Sequence, residues 1–118
     1  MLTKEEADQL IKKQNPFLVS LNKIDSKSDT LQVANSDDLV NKLKSYFSNV
    51  LLKQTNENNE HYFMAVLAPS FWRLNPCVVE VVVSGNAVRI VTYAKEGLIK
   101  QNTCQRTIDD IKKVVLGN

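Results

Sequence analysis

Histidine and cysteine are the scarcest chemical groups in this chain: His61 stands alone, and Cys77 and Cys104 are the only thiols. A zinc or comparable metal site therefore lacks the ligands to form it. Two cysteines in a domain of this size also exclude the dense disulfide framework of small secreted proteins, and both are expected to be reduced thiols. Glycine is scarce too. Gly85, Gly97 and Gly117 are the only three, each assignable to a turn or a helix cap. No glycine-rich phosphate cradle or nucleotide fingerprint remains, so no cofactor is expected. No apolar run approaches the ~20 residues that span a bilayer. The opening Met1-Leu2-Thr3-Lys4-Glu5-Glu6 is acidic and helix-forming where a signal peptide is basic and then apolar. These absences point to a soluble cytoplasmic protein without a membrane partner.

Excess charge is small as well. The formal net charge is +2, and its distribution follows the predicted helices: Glu5 and Glu6 precede Lys12 and Lys13, Asp37 and Asp38 precede Lys42 and Lys44, Asp109 and Asp110 precede Lys112 and Lys113. Acids first and bases last complement the helix dipole, which accounts for much of the lysine without a polyanionic partner.

What is present is ordinary globular material. A chain of 118 residues, 43% hydrophobic and 24% charged, supports one core and hence a single domain over 1–118. Thr3 and Glu6 have capping-box spacing, which predicts a helix over Leu2–Lys13 with Ala7, Leu10 and Ile11 as its stripe and Asp8–Lys12 as an i,i+4 pair. Phe17–Ile24 reads as a strand. Asp25–Asp29 reads as a turn leading to a short strand over Thr30–Ala34.

Asn35 or Ser36 is the expected cap of a second helix, about Asp37–Leu52. Its apolar positions Leu39, Val40, Leu43, Tyr46, Phe47, Val50 and Leu51 repeat at the helical period. Gln54–Glu60 reads as a polar, mobile linker. His61–Ala68 is a strand, and Pro69 and Pro76 bracket a loop. Cys77–Ser84 and Ala87–Ala94 form a hairpin about Gly85-Asn86 and occupy the middle of a sheet, since Glu80 and Arg89 are their only charges. Thr107 and Asp110 have capping-box spacing ahead of a final helix buried through Ile108, Ile111 and Val115 and closed at Gly117. The fold class is α+β: one mainly antiparallel sheet of about four to five strands with three helices, in the order α-β-(β)-α-β-β-β-α.

Few residues offer chemistry. His61 titrates nearest neutrality but has no identifiable triad partner. Cys104 lies between Lys100 and Arg106, whose charge would lower a thiol pKa if it were adjacent in space, whereas Cys77 opens an apolar strand and reads as core. The paired acids read as dipole complements rather than metal ligands. Phe71, Trp72 and Arg73 combine hot-spot residue types in a loop between two prolines, and are the candidate binding residues. The competing expectation is that the two aromatics fold back as a lid on the core. The function expected is a small non-catalytic binding or adaptor protein whose partner is another protein, a second copy included. A nucleic-acid-binding domain is the alternative, and an enzyme using His61 or Cys104 ranks third.

Overall fold

The computed structural model describes residues 1–14, 24–34, 36–68, 75–95 and 102–117. The elements are α1 (Lys4–Gln14), β1 (Ile24–Gln32), α2 (Ser36–Phe47), β2 (Leu51–Glu57), β3 (Glu60–Leu67), β4 (Cys77–Ser84), β5 (Ala87–Lys95) and α3 (Thr103–Leu116). The strands form one antiparallel sheet in the order β1-β5-β4-β3-β2, so the fold is α+β as the patterning predicts. Among the described residues, no helix is long and apolar enough to cross a membrane.

Strand alternation divides the sheet into two unlike faces. One face presents Phe63, Ala65, Val79, Val81, Val83, Val88 and Ile90, and α2 and α3 cover it through Leu39, Leu43, Phe47, Ile108 and Ile111. The rings of Phe47 and Phe63 lie 6.4 Å apart at the centre of this larger core. The other face presents Val66, Val78, Val91 and Tyr93, which pack against Ala7 and Ile11 of α1. As expected, β4 is the central strand and is covered on part of both faces.

Local signals explain several boundaries. The Thr3–Glu6 capping box forms in both directions: Glu6 N–H donates to Thr3 Oγ1 at 3.1 Å, and Thr3 N–H to Glu6 Oε1 at 3.0 Å. Asp8 pairs with Lys12 at 3.2 Å. Gly85 has a φ of 57° while Asn86 stays negative, the arrangement of a two-residue turn with glycine first. Gly117 closes α3 at φ 76°, its N–H donating to the Lys113 carbonyl.

Elsewhere the structure departs from the sequence pattern. Gln54–Glu57 is not a linker but most of β2, and Asn58 and Asn59, with φ of 52° and 63°, make the tight turn into β3. Asp25–Asp29 is likewise strand rather than turn, because this polar stretch is an edge that needs only the backbone ladder to β5. The second helix ends at Phe47, not near Leu52. Short-range bonds from Ser48 N–H to the Ser45 carbonyl and from Val50 N–H to the Phe47 carbonyl close it, and Val50 and Leu51 reach the same core from the turn and from β2. Tyr46 is 36% exposed rather than core. The last helix begins at Thr103, so Thr107 is a buried mid-helix residue and no acid stands in the first turn. The strand expected over Phe17–Ile24 lies outside the described residues except for Ile24, which opens β1.

Candidate functional site

Glu80 is the one acid in a strand of valines, and its side chain is fully buried beneath the start of α1. A buried carboxylate requires donors, and three converge on it. Leu2 N–H lies 3.2 Å from each oxygen, Tyr93 donates to Oε1 at 2.9 Å, and Tyr62 donates to Oε2. Tyr93 Oη is also 2.9 Å from the Leu2 carbonyl, so its single proton is shared between two acceptors. Burial, reinforced by the hydrogen bond to Glu80, pushes both phenols well above the usual tyrosine range and keeps them as donors.

Further along α1, Lys95 Nζ meets Asp8 Oδ1 at 2.7 Å and holds that carboxyl below the usual range. The N-terminal segment is thus clamped to the sheet by polar contacts at Leu2 and Asp8 beside the apolar packing of Ala7 and Ile11.

This arrangement positions a surface. In cross-strand register, Thr30, Arg89, Val82, Tyr62 and Thr55 form one row on the face that carries α1. Gln32, Ala87, Ser84, Glu60 and Glu57 form the next. Both rows lie beyond Glu80, towards the Gly85–Asn86 turn and away from the α1 stripe. Val82 and Tyr62 are half-buried there, while Arg89, Thr30, Glu60 and Glu57 are exposed. Among the described residues, one half of the face is therefore covered by a helix and the other half is open, with Val82 and Tyr62 inside a charged margin.

The residues singled out from sequence fall elsewhere. His61 is half-buried on the opposite face, aligned with Val83 and Asn56 and remote in orientation from the Glu80 cluster. Cys104 is buried in the first turn of α3 and its thiol donates to the Asp25 carbonyl at 3.6 Å, so it packs as a small core residue; Cys77 is buried too. Asp38 pairs with Lys42 at 3.4 Å, and Asp109 accepts from Gln105 Nε2 at 3.0 Å. Among the described residues, no three metal-ligating side chains gather. Phe71, Trp72 and Arg73 lie outside the described residues. A separate shallow hollow of about 280 Å³ lies between α2 and the end of α3, lined by Val33, Leu39, Val115 and Leu116. It is open, and its polar lining among the described residues is Gln32 and the Asp38–Lys42 pair.

Sequence reasoning noted Glu80 only as a rare charge in the central hairpin. A lone acid among Val78, Val79, Val81, Val82 and Val83 is itself the signal, because buried polar groups are the informative ones. Comparison with protein-family models, curated proteins and solved structures finds no match.

Proposed function

We propose that this domain is a non-catalytic protein-binding module of the cytoplasm, and that its contact surface is the open half of the sheet face beside α1. The observation that carries this reading is the abrupt limit of α1 at Glu80. Beyond it, Val82 and Tyr62 are partly exposed inside a polar margin, an arrangement that resembles an interface with an apolar centre and a wet rim. The Glu80 cluster supports positioning rather than catalysis, since its carboxylate is 0% exposed and already meets three donors.

Charge favours a protein partner over a nucleic acid. Among the described residues, the strands of this half carry Arg89 on β5 and Glu57 and Glu60 on β2 and β3, with Lys53 one row nearer α1, and at the start of α1 Glu6 is offset by the N-terminal ammonium. A surface with acids at least as numerous as bases repels a polyphosphate chain. The connection from β3 to β4 carries Phe71, Trp72 and Arg73, which lie outside the described residues. Its residue types make it a second contact on sequence grounds.

The test is partner capture from the native cell by wild type, Val82→Asp and the Trp72→Ala, Arg73→Ala double variant. A charge placed at a desolvated interface centre is expected to weaken capture by ~2 kcal/mol or more, and so is loss of the loop pair, while circular dichroism stays unchanged. Capture should survive 0.5 M salt, where phosphate-driven binding collapses. Folded Val82→Asp that still captures every partner removes the open half as the site.

A further inference from the structure

We infer that the outer edge of β2 pairs with the β2 edge of a second copy of this chain, an inference about a different surface from the open half-face and independent of it. Among the described residues, β2 has β3 on one side and no strand on the other, and Lys53, Gln54, Asn56 and Glu57 are exposed. Asn58 and Asn59 make a two-residue turn, so Glu57 and Glu60 exchange the first ladder bonds, and alternation then turns the backbone N–H and C=O of Asn56 and Gln54 outward. Such an edge is a template for another strand. The opposite edge is guarded. Val33 N–H donates to the Asn86 carbonyl, so the same alternation turns Thr30 N–H outward on β1, where Asp29 Oδ1 accepts it at 2.8 Å and Lys112 holds the carboxylate.

Charge on β2 selects the partner. Lys53 and Glu57 form no ion pair among the described residues, and at ~3.3 Å per residue they stand ~13 Å apart in their own strand, too far to meet. A two-fold axis perpendicular to the sheet through Thr55 brings each to the other chain's opposite charge. Thr55 meets the partner's Thr55, Gln54 the partner's Asn56 and Lys53 the partner's Glu57, and every contact repeats across the axis. Backbone parity agrees, because Gln54 and Asn56 turn their free groups towards each other in this register and exchange about four hydrogen bonds. Sliding the pairing by one residue sets outward groups against inward ones, and sliding it by two parts Lys53 from the partner's Glu57. The partner's Lys53 also offsets the like-charge placement of Glu57 opposite Glu60. The helices leave room. This axis keeps both copies of α1 on one face of a continuous sheet but apart, since α1 packs on Val66, Val78, Val91 and Tyr93 of β3, β4 and β5. On the other face Gln54 and Asn56 are exposed, so α2 does not overhang the pairing residues. Even a helix centred over β3 would stand ~14 Å from its copy, three strand spacings, against a helix diameter of ~10–12 Å.

Sedimentation equilibrium at low salt, where exposed charges act most strongly, tests this over about 10 µM to about 1 mM. Wild type is expected to move from monomer towards dimer. Lys53→Glu and Glu57→Lys, each alone, should weaken association at least tenfold, because both charged contacts become repulsions. Both positions are exposed, so circular dichroism should not change. The decisive arm mixes the two variants. Opposite charges then face each other at both contacts, and the mixture should associate as wild type does although neither component associates alone. Gln54→Pro removes an outward N–H that β3 does not use, and should abolish pairing while the monomer stays folded. Val82→Asp lies two strands from the edge and should associate like wild type, so this inference and the proposed binding surface fail separately. Wild type that stays monomeric throughout overturns the inference, as does a mixture that stays monomeric while wild type associates. Folded Gln54→Pro or single charge variants that associate like wild type, or loss of association in Val82→Asp, would place the dimer on another surface and overturn it equally.

Discussion

Tyr93→Phe isolates the clamp between α1 and the sheet. The substitution keeps the ring, which is buried against Ala7 and Ile11, and deletes one hydroxyl that lies 2.9 Å from Glu80 Oε1 and 2.9 Å from the Leu2 carbonyl. A hydrogen bond to a charged acceptor contributes ~1.5–3 kcal/mol, and the carboxylate left behind is fully buried, so water does not replace the lost donor. The Leu2 carbonyl, near the surface, recovers a water. The expected loss is ~2–3 kcal/mol, a large share of the ~5–15 kcal/mol that holds a domain together. Tyr62→Phe removes one bond from a half-buried ring and should cost less, ~1–2 kcal/mol. With both gone, Leu2 N–H is the remaining donor to Glu80 among the described residues, so the double variant should lose more than the sum, with a coupling of ~0.5–3 kcal/mol. Urea denaturation measures the totals. Hydrogen exchange gives the location: α1 amides should lose protection before those of β4 and β5. A Tyr93→Phe protein within ~0.5 kcal/mol of wild type, with α1 protection unchanged, refutes the account.

Phe47→Ala, which empties the centre of the larger core, should cost ~3–5 kcal/mol by denaturation, and an unchanged midpoint would show that α2 does not pack as described. Thr107 Oγ1 is buried without a hydrogen-bond partner among the described residues, so Thr107→Val, nearly the same shape without the hydroxyl, should raise stability by ~1 kcal/mol, and a destabilised variant would mean the hydroxyl is bonded. Tyr62 and Tyr93 have pKa values raised by folding, so the stability they contribute is complete below the ordinary tyrosine value of ~10 and is lost as pH rises above it. Urea midpoints between pH 8 and 11 should fall more steeply for wild type than for the double Tyr→Phe variant, and parallel curves would contradict that linkage.

The parts of this fold legible in sequence were those where local chemistry and tertiary packing agree. Thr3 with Glu6, Gly117, and the valine-rich runs about Gly85-Asn86 each dictate their structure within a few residues. The misread parts are those where the partner is distant. Asp25–Asp29 and Gln54–Glu57 look like turn and linker because edge strands bury little, and their pairing energy comes from backbone bonds that leave no hydrophobic period. Thr107 and Asp110 carry a capping signal that goes unused, since Ile108, Ile111 and Val115 continue a stripe begun four residues earlier by Thr103 and Cys104. Glu80 was visible, but its donors come from Leu2, Tyr62 and Tyr93, and only the assembled sheet brings these together. The open half-face likewise exists only once β1 and β2 are known to be strands.

The strand order also sets a sequence of events in time. Strands β2 to β5 pair each with its neighbour in the chain, two of the three junctions being two-residue turns, so this meander closes only short loops. β1 must instead find β5, with Gln32 aligned to Ala87 across α2 and the whole meander, and Leu2 must find Glu80 later still in sequence separation. Loop-closure entropy makes those contacts late. The meander is then the nucleus, and β1 with α1 is the part that arrives last and leaves first. A substitution at Gly85 should therefore slow folding with little change in the unfolding rate, whereas one at Asp8 or Lys95, in the α1 clamp, should leave folding nearly unchanged and speed unfolding.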